Sequence, residues 1–551
     1  MSLLGAALSG AVLLFDPSLP AFAAPKAALL LILAALALPW LPRPAPLALA
    51  TLAILALTPL IALDPAAAIW GRPPRAEGVL CLAAVLVLAL VAQRLSEAEV
   101  LRLDRVLHVA GALLALTVLA GVFRLPVPGL PVGFGDGHGG TLGNPNTAGT
   151  MLAALLVHAS ARGGGWRALL PLYAAALFGT GSRAAWLAML VGLAWLLPPD
   201  LLRRIALGLL AAGGLAVFAA LSWRAEPAPS AALRLELWGA ALRALAPVER
   251  ESDALGRVRW LIGYGPEQQA EVLERHRRPS QNAWEAGGHE RVADRAHSLP
   301  LDLWLSFGLA GLAALAWMLR RILRAAASVR AESAATLALL SAGLLGFFGP
   351  AEWLLLAIWL ARQSPEAAAV PLDPRRPDLR RIAFGLLAGG WLLATTLAGH
   401  PAARDAAERE ALEARYRALA HAGAQMEDWR ALVAAACGRA ERRAQDGEAA
   451  LLCAQIAHQA GAVRLARDAA IRATALRPAR PRAWLLRLVT DPDQPQPALS
   501  QLRDCVALSR LDPGTADAFA VALRQTASRR PAWSADPDFV ALMRLLARPV
   551  S

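Results

Sequence analysis

The chain has 551 residues, 57% of them hydrophobic and 18% charged, with a mean hydropathy of +0.45. Apolar runs of about 18 residues or more recur along it, each long enough for a hydrocarbon core roughly 30 Å thick, which excludes an ordinary soluble enzyme. The net charge of +13 is carried almost wholly by arginine, Lys26 being the only lysine; these arginines lie between apolar runs or scattered over the C-terminal part, which argues against a nucleic-acid partner.

The apolar runs are rich in Leu and Ala and do not alternate with polar residues, so they read as helices rather than barrel strands. A helix also satisfies its own backbone polar groups in lipid. The expected fold is therefore all-α: a polytopic helical membrane protein with a C-terminal soluble helical-repeat domain. Spans are expected near 2–15, 25–41, 46–63, 77–94, 106–123, 146–161, 167–180, 183–198, 205–222, 298–318, 334–348, 350–361 and 382–399. The first of them, "GAALSGAVLLF" before "PAFAA", resembles a secretory leader, but no Lys or Arg precedes it, so an uncleaved span is expected. "FFGPAEW" separates 334–348 from 350–361 with Gly349 and Pro350 at a turn or kink.

Arginine placement orients the spans. One set of alternate loops holds Arg43, Arg94, Arg102, Arg105, Arg162, Arg167, Arg203, Arg204 and a further run from Arg320 to Arg381. The opposite short loops hold only Lys26, Arg72, Arg75, Arg124 and Arg183. The richer set is expected to be cytoplasmic. The long loop from Arg224 to His297 and the tail after Gly399 then lie outside. Four regions follow: N-terminal spans (1–222), a large outer loop with surface helices (223–297), C-terminal spans (298–399) and an outer helical tail (400–551).

The tail reads as helix, turn, helix, turn, helix, then proline. Its segment ending "ALRPARPRAW" resembles a tetratricopeptide repeat, with a generic helical bundle as the alternative. Cys437 and Cys453 flank the Asp446-Gly447 turn, and antiparallel helices bring them near each other; a disulfide and two buried thiols both fit.

Polar residues at span edges are the candidates for chemistry, because charge in a membrane is costly. Arg183 follows "GTGS", where Gly179, Gly181 and Ser182 open the backbone; its guanidinium either snorkels to headgroups or faces a polar cavity, where its planar fork suits a phosphate. In "GFGDGHGGTLGNPNTAGTML", Asn146 or Thr147 is expected to cap the next helix, and Asn144 and Asn146 are candidates for substrate contact. "SAALRLELWGAALRALAP" places Arg234, Trp238 and Leu242 at helical spacing, as in a helix lying on a membrane surface. "LIGYG" follows, and Arg295-Ala296-His297 closes the loop at the lip of the next span.

The motifs "DPSLPAFAAPKAALL", "GRPPRAEGVL", "GNPNTAGTMLA", "GSRAAWLAMLVGL", "LRLELWGAAL…GYG" and "AHSLPLDLWLSFGLAGL" occur in this order. So spaced, they resemble the O-antigen ligase/polymerase superfamily of bacterial inner-membrane C-type glycosyltransferases, over roughly residues 1–400. The resemblance implies transfer of a glycan from undecaprenyl diphosphate to an acceptor hydroxyl at the periplasmic face, with inversion and without metal or other cofactor. It places Arg183, Arg234 and His297 on the family's essential positions. Lys26, Arg72, Arg75, Asn144, Asn146, Trp238 and Arg295 are the accompanying substrate-binding candidates. The implied partners are the lipid-linked donor, an acceptor that is lipid A-core, a growing polysaccharide or a protein, the bilayer, and a protein docking on the tail. The chain departs from the pattern after the histidine: Ser298 and Ser306 stand where relatives often carry Asn and Glu. The rival from another class is a transporter with a periplasmic repeat domain, which favours inverted repeats and charges deep in broken helices. The halves show no such repeat, and the polar candidates cluster at one face.

Overall fold

The computed structural model describes residues 2–14, 23–41, 46–72, 75–125, 138–197, 229–248, 253–283, 293–325, 329–363, 401–422, 425–491, 495–508, 511 and 513–547. The expected spans at 205–222 and 382–399, the 133–137 part of the glycine-rich loop, and His289 lie outside these. Contacts sort the chain into two units. The first comprises Met1–Phe218, Val258–Glu267 and His297–Arg404; the second comprises Ala219–Arg257, Gln268–Ala296 and Asp405–Ser551.

In the first unit, helices α1 (Ser2–Leu13), α2 (Ala23–Ala37), α3 (Pro46–Ile61), α4 (Pro65–Trp70), α5 (Val79–Ala92), α6 (Glu97–Val122), α7 (Pro145–Arg162), α8 (Leu170–Thr180) and α9 (Arg183–Trp195) follow one another. Among the described residues, α6 is the helix long and apolar enough to cross a membrane; α1, α3, α5 and α9 are shorter apolar helices. Helix α6 starts earlier than the expected 106, because Ser96 builds a capping box: its Oγ accepts from Glu99 N at 3.4 Å, and its N donates to Glu99 Oε2 at 2.9 Å. Helix α7 is the centre of the unit, buried continuously from Thr147 to Ala159. Its neighbours approach through small residues: a Cβ on Gly149 would lie 2.9 Å from Ala185 Cβ, and one on Gly192 of α9 2.8 Å from Val157 Cγ2.

Polar side chains inside this bundle are tied to one another. His108 of α6 lies 3.0 Å from the Tyr173 hydroxyl through Nδ1 and 3.1 Å from His158 Nδ1 through Nε2. One turn on from His158, Arg162 pairs with Asp104 and with Glu332, each at 2.9 Å. These groups link α6, α7 and α8 to the later helix that carries Glu332, pairing the buried charges as a low-dielectric interior favours.

The single span expected at 298–318 is divided into two helices. Helix α12 (Leu299–Phe307) ends at Gly308, and α13 (Leu309–Leu323) begins there. Gly308 adopts φ 59°, and a Cβ on it would fall 2.0 Å from Leu261 O. The reason is the "LIGYG" backbone, which presses against this point after helix α11 (Arg259–Ile262). Only glycine permits both the dihedral and the approach. Helices α14 (Arg330–Gly343) and α15 (Pro350–Arg362) complete the unit, divided at Gly349-Pro350 as the sequence indicates.

The second unit holds helix α10 (Pro229–Leu245), a short helix αL (Gln269–Arg275) and the tail helices α16 (Pro401–Ala422), α17 (Met426–Arg442), α18 (Gly447–Gln459), α19 (Val463–Leu476), α20 (Pro481–Thr490), α21 (Ala498–Leu508), α22 (Pro513–Arg529) and α23 (Pro537–Leu546). Alanines fill the contacts between tail helices: Ala440, Ala450, Ala454, Ala466, Ala470 and Ala473 are fully buried. Asp446 caps α18, its Oδ1 accepting from Glu448 N at 2.9 Å and Ala449 N at 3.1 Å. Across that turn Cys437 and Cys453 are disulfide-bonded, with S–S 2.10 Å.

Candidate active site

His297 directly precedes Ser298, the N-cap of α12. It holds φ 53°, the left-handed region, which is uncommon for histidine and recurs at strained functional positions. Its half-buried ring meets Phe347 edge-on, with centroids 5.1 Å apart and planes at 66°. The Arg75 guanidinium covers the same phenyl ring, Cζ lying 3.9 Å from the centroid. Phe347 therefore brings together two predicted site residues, His297 and Arg75, that are far apart in sequence. It is 8% exposed and sits in the turn before α15.

Behind that turn, Gly349 N donates to Glu352 Oε2 at 3.1 Å, and the Glu352 carboxylate interacts electrostatically with Lys26 and Arg75. Glu352 is fully buried. Lys26 is also buried, and its Nζ donates to the carbonyls of Val12, Leu14 and Thr141, the last at 3.1 Å. Lys26 thus ties α1 to the segment before α7. Arg72 pairs with Asp64 at 3.2 Å, while its backbone N donates to Glu267 Oε2 at 3.0 Å.

That last contact belongs to a seam holding "LIGYG" in place. Arg259 donates to Ile61 O at 2.7 Å and Gly263 O at 3.0 Å, and its guanidinium lies 4.5 Å from the Tyr264 ring centroid. Tyr264 N donates to Leu305 O at 2.6 Å and Gly265 N to Ser306 O at 2.9 Å. Ser306, in the last turn of α12, thus contributes its carbonyl to the seam.

Arg183 starts α9 and is exposed. Ser182 caps this helix through Ala185 N at 3.4 Å and donates to Asn146 Oδ1 at 2.9 Å. The cap of α7 is Asn144, whose Oδ1 accepts from Asn146 N at 2.8 Å and Thr147 N at 3.3 Å. The expectation that Asn146 or Thr147 caps α7 is corrected: Pro145 takes the first helical position, which moves the cap back one residue and frees Asn146 to reach Ser182. His138 adds a 2.6 Å contact from Nδ1 to Gly179 O. "GNPNT" and "GTGSR" are therefore one assembly with Arg183 at its edge.

Arg234 and Trp238 lie half-buried on α10, and Arg295 is buried; all three belong to the second unit. Residues 168–316 match the O-antigen ligase family model, Wzy_C. No curated protein and no solved structure matches the chain. The ligase-like segment contains Arg183, Arg234, Trp238, Arg295 and His297, whereas Lys26, Arg72, Arg75, Asn144 and Asn146 precede it. The match supports the O-antigen ligase resemblance and the association with glycan transfer in surface-polysaccharide biosynthesis.

Sequence reasoning missed Phe347, Arg259, Glu267 and Glu352. Phe347 and Glu352 sit in "FFGPAEW", where the signal was a carboxylate one turn into an apolar helix. Arg259 and Glu267 lie in the middle of a polar loop and carry no such signal.

Proposed function

We propose that the protein is a polytopic inner-membrane glycosyltransferase. It moves a glycan from undecaprenyl diphosphate to an acceptor hydroxyl at the periplasmic face, without metal or cofactor. The observation that carries this reading is the ligase family match across the segment holding Arg183, Arg234 and His297.

In this reading the acceptor oxygen attacks the anomeric carbon from the face opposite the leaving group. The C–O bond to the diphosphate breaks, the configuration inverts, and undecaprenyl diphosphate departs with the bonding electrons. Arg183 and Arg234 take the negative charge that grows on the leaving group. Arg183 stands at a helix N-terminus, where the backbone also favours an anion. Fixed cations of this kind act strongly where charge develops in the transition state. His297 takes the acceptor proton, a suitable task for a ring with a reference pKa of about 6.5. Arg75, packed with His297 on Phe347, supplies a further cation beside the base. Asn144 and Asn146 brace the Arg183 turn, and Lys26, Arg72, Trp238 and Arg295 serve donor binding. The tail lies in the periplasm and has a tetratricopeptide-like character.

Replacement of His297 by Ala in cells tests this reading through surface-polysaccharide length and lipid attachment. A ladder missing from lipid A but retained on undecaprenyl diphosphate identifies a ligase. Products of a single repeat identify a polymerase. Loss of glycan from a protein identifies a protein oligosaccharyltransferase. An unchanged profile contradicts a catalytic His297.

A further inference from the structure

The outer-loop segment 268–283 and the tail lie in the same unit, and an ion cluster joins them. At its centre is Glu274 of αL, 1% exposed. Arg277 of the same segment donates to Glu274 Oε1 at 2.8 Å. Two tail arginines approach Oε2 as ion pairs, Arg477 at 3.2 Å and Arg480 at 3.4 Å. Arg477 also faces Glu271 at 3.6 Å, and Glu448 faces Arg477 at 3.8 Å and Arg480 at 3.9 Å. Three arginines and three glutamates thus balance one another, all of them buried except the partly exposed Glu448. Beside it, Arg275 donates to the Gln445 carbonyl at 3.3 Å.

The tail is shaped for this contact. Arg477 and Arg480 stand at the joint between α19 and α20, in "RPAR". Gly447, after the Asp446 cap, leaves the room that Arg477 fills: a Cβ there would lie 2.5 Å from Arg477 Cγ. The short helix Pro279–Ala283 packs against α21, giving the loop a second attachment on the tail.

From the loop the connection runs on to α10. Arg243 of α10 donates to His276 O at 2.8 Å, and Glu236 Oε1 accepts from Ser280 Oγ at 2.9 Å. Arg234 is on that same helix, two residues before Glu236.

We propose that the tail is an intramolecular clamp that fixes the arginine-bearing outer loop, with Glu274, Arg477 and Arg480 as positioning residues for Arg234. This deepens the glycosyltransferase reading and rests on it for its activity consequence. A buried charge cluster is a poor source of net stability, yet it specifies register, because any partner left alone pays the full cost of a buried charge. The tail surface nearest the ion cluster is occupied by the chain's own loop rather than held open for another protein.

The test uses full-length protein in detergent, with cysteines placed at Arg275 and Gln445 to read docking by a bismaleimide cross-linker that spans an arginine side chain's length, and turnover of a lipid-linked glycan to read function. The pair is expected to cross-link readily in the parent background, and the parent to keep its turnover. Glu274→Gln and Arg477→Gln should each slow cross-linking. They should also lower turnover about tenfold to a hundredfold while tail melting stays cooperative, the range expected for a slightly misplaced catalytic group. Glu274→Asp should recover more turnover than Glu274→Gln. Protease sensitivity of 268–283 gives a second docking readout, expected to rise in both Gln variants. Undiminished turnover in variants that have lost cross-linking and protection overturns the positioning role. Undiminished cross-linking and protection overturns the clamp itself. If the parent transfers no glycan, the function proposal fails while both docking readouts still judge the clamp.

Discussion

His297 combines an uncommon backbone conformation with a placement against Phe347, and the two can be separated by substitution. Asparagine tolerates the left-handed region, whereas alanine loses roughly 1 kcal/mol there. His297→Asn should therefore leave the melting temperature near that of the parent while lowering turnover by about 10² to 10⁴, the usual contribution of a positioned acid or base. His297→Ala should lose both stability and turnover. The histidine's position, between a polar loop and an apolar helix, was legible in the sequence. Its partner was not, because Phe347 is one of several apolar residues in its stretch and nothing local marks it as the ring that carries both His297 and Arg75. Asn144 shows the opposite case: its capping role is local, and one proline decides which asparagine performs it.

Among elements, apolar runs located helices well where run and helix end within a few residues of each other. The expected 77–94 and 183–198 appear as Val79–Ala92 and Arg183–Trp195. They failed where a charged first turn belongs to the helix, as at "EAEVLRLDR" of α6, and where a helix breaks for a tertiary reason, as at Gly308. No hydropathy pattern distinguishes Gly308 from Gly311 three residues later; the distinction comes from Leu261, whose carbonyl packs against Gly308. Gly308→Ala is expected to force "LIGYG" away from Ser306, since a Cβ would stand 2.0 Å from Leu261 O and the residue would keep a positive φ. A loss of several kcal/mol at this single position, against roughly 1 kcal/mol or less for an alanine at the open Gly181, checks the account by thermal melting. In the tail, reduction of Cys437–Cys453 is expected to cost about 3 kcal/mol, the scale for a loop of this size, read as a lower melting temperature of the helical tail.

For the whole molecule, the helical class was legible, and it is what the described residues adopt, whereas the loop–tail cluster was not. Glu274 and Arg477 are separated by most of the second half of the chain, and each alone reads as an ordinary surface charge. The cluster has a pH consequence outside the apolar helices. Burial works to raise the Glu274 pKa, but Arg477, Arg277 and Arg480 outweigh it, so the carboxyl is held below its ordinary value. A depressed carboxylate adds stability above its unfolded pKa of about 4.3, and that contribution is lost as pH falls through the lower folded value. Loop protection should therefore be steady at neutral pH and fall off in acid below about pH 4. Glu274→Gln should be less protected at neutral pH and lack that part of the acid dependence.

The central claim is that His297, Arg183 and Arg234 act in one glycan-transfer reaction. Purified full-length protein, supplied with an undecaprenyl-diphosphate-linked glycan and a candidate acceptor, reads it directly. Parent protein should form the glycosylated acceptor and release undecaprenyl diphosphate in equal amounts. His297→Asn, Arg183→Gln and Arg234→Gln, each folded as judged by melting, should each lower that rate by about a hundredfold or more. Equal transfer by the parent and all three variants would contradict the account.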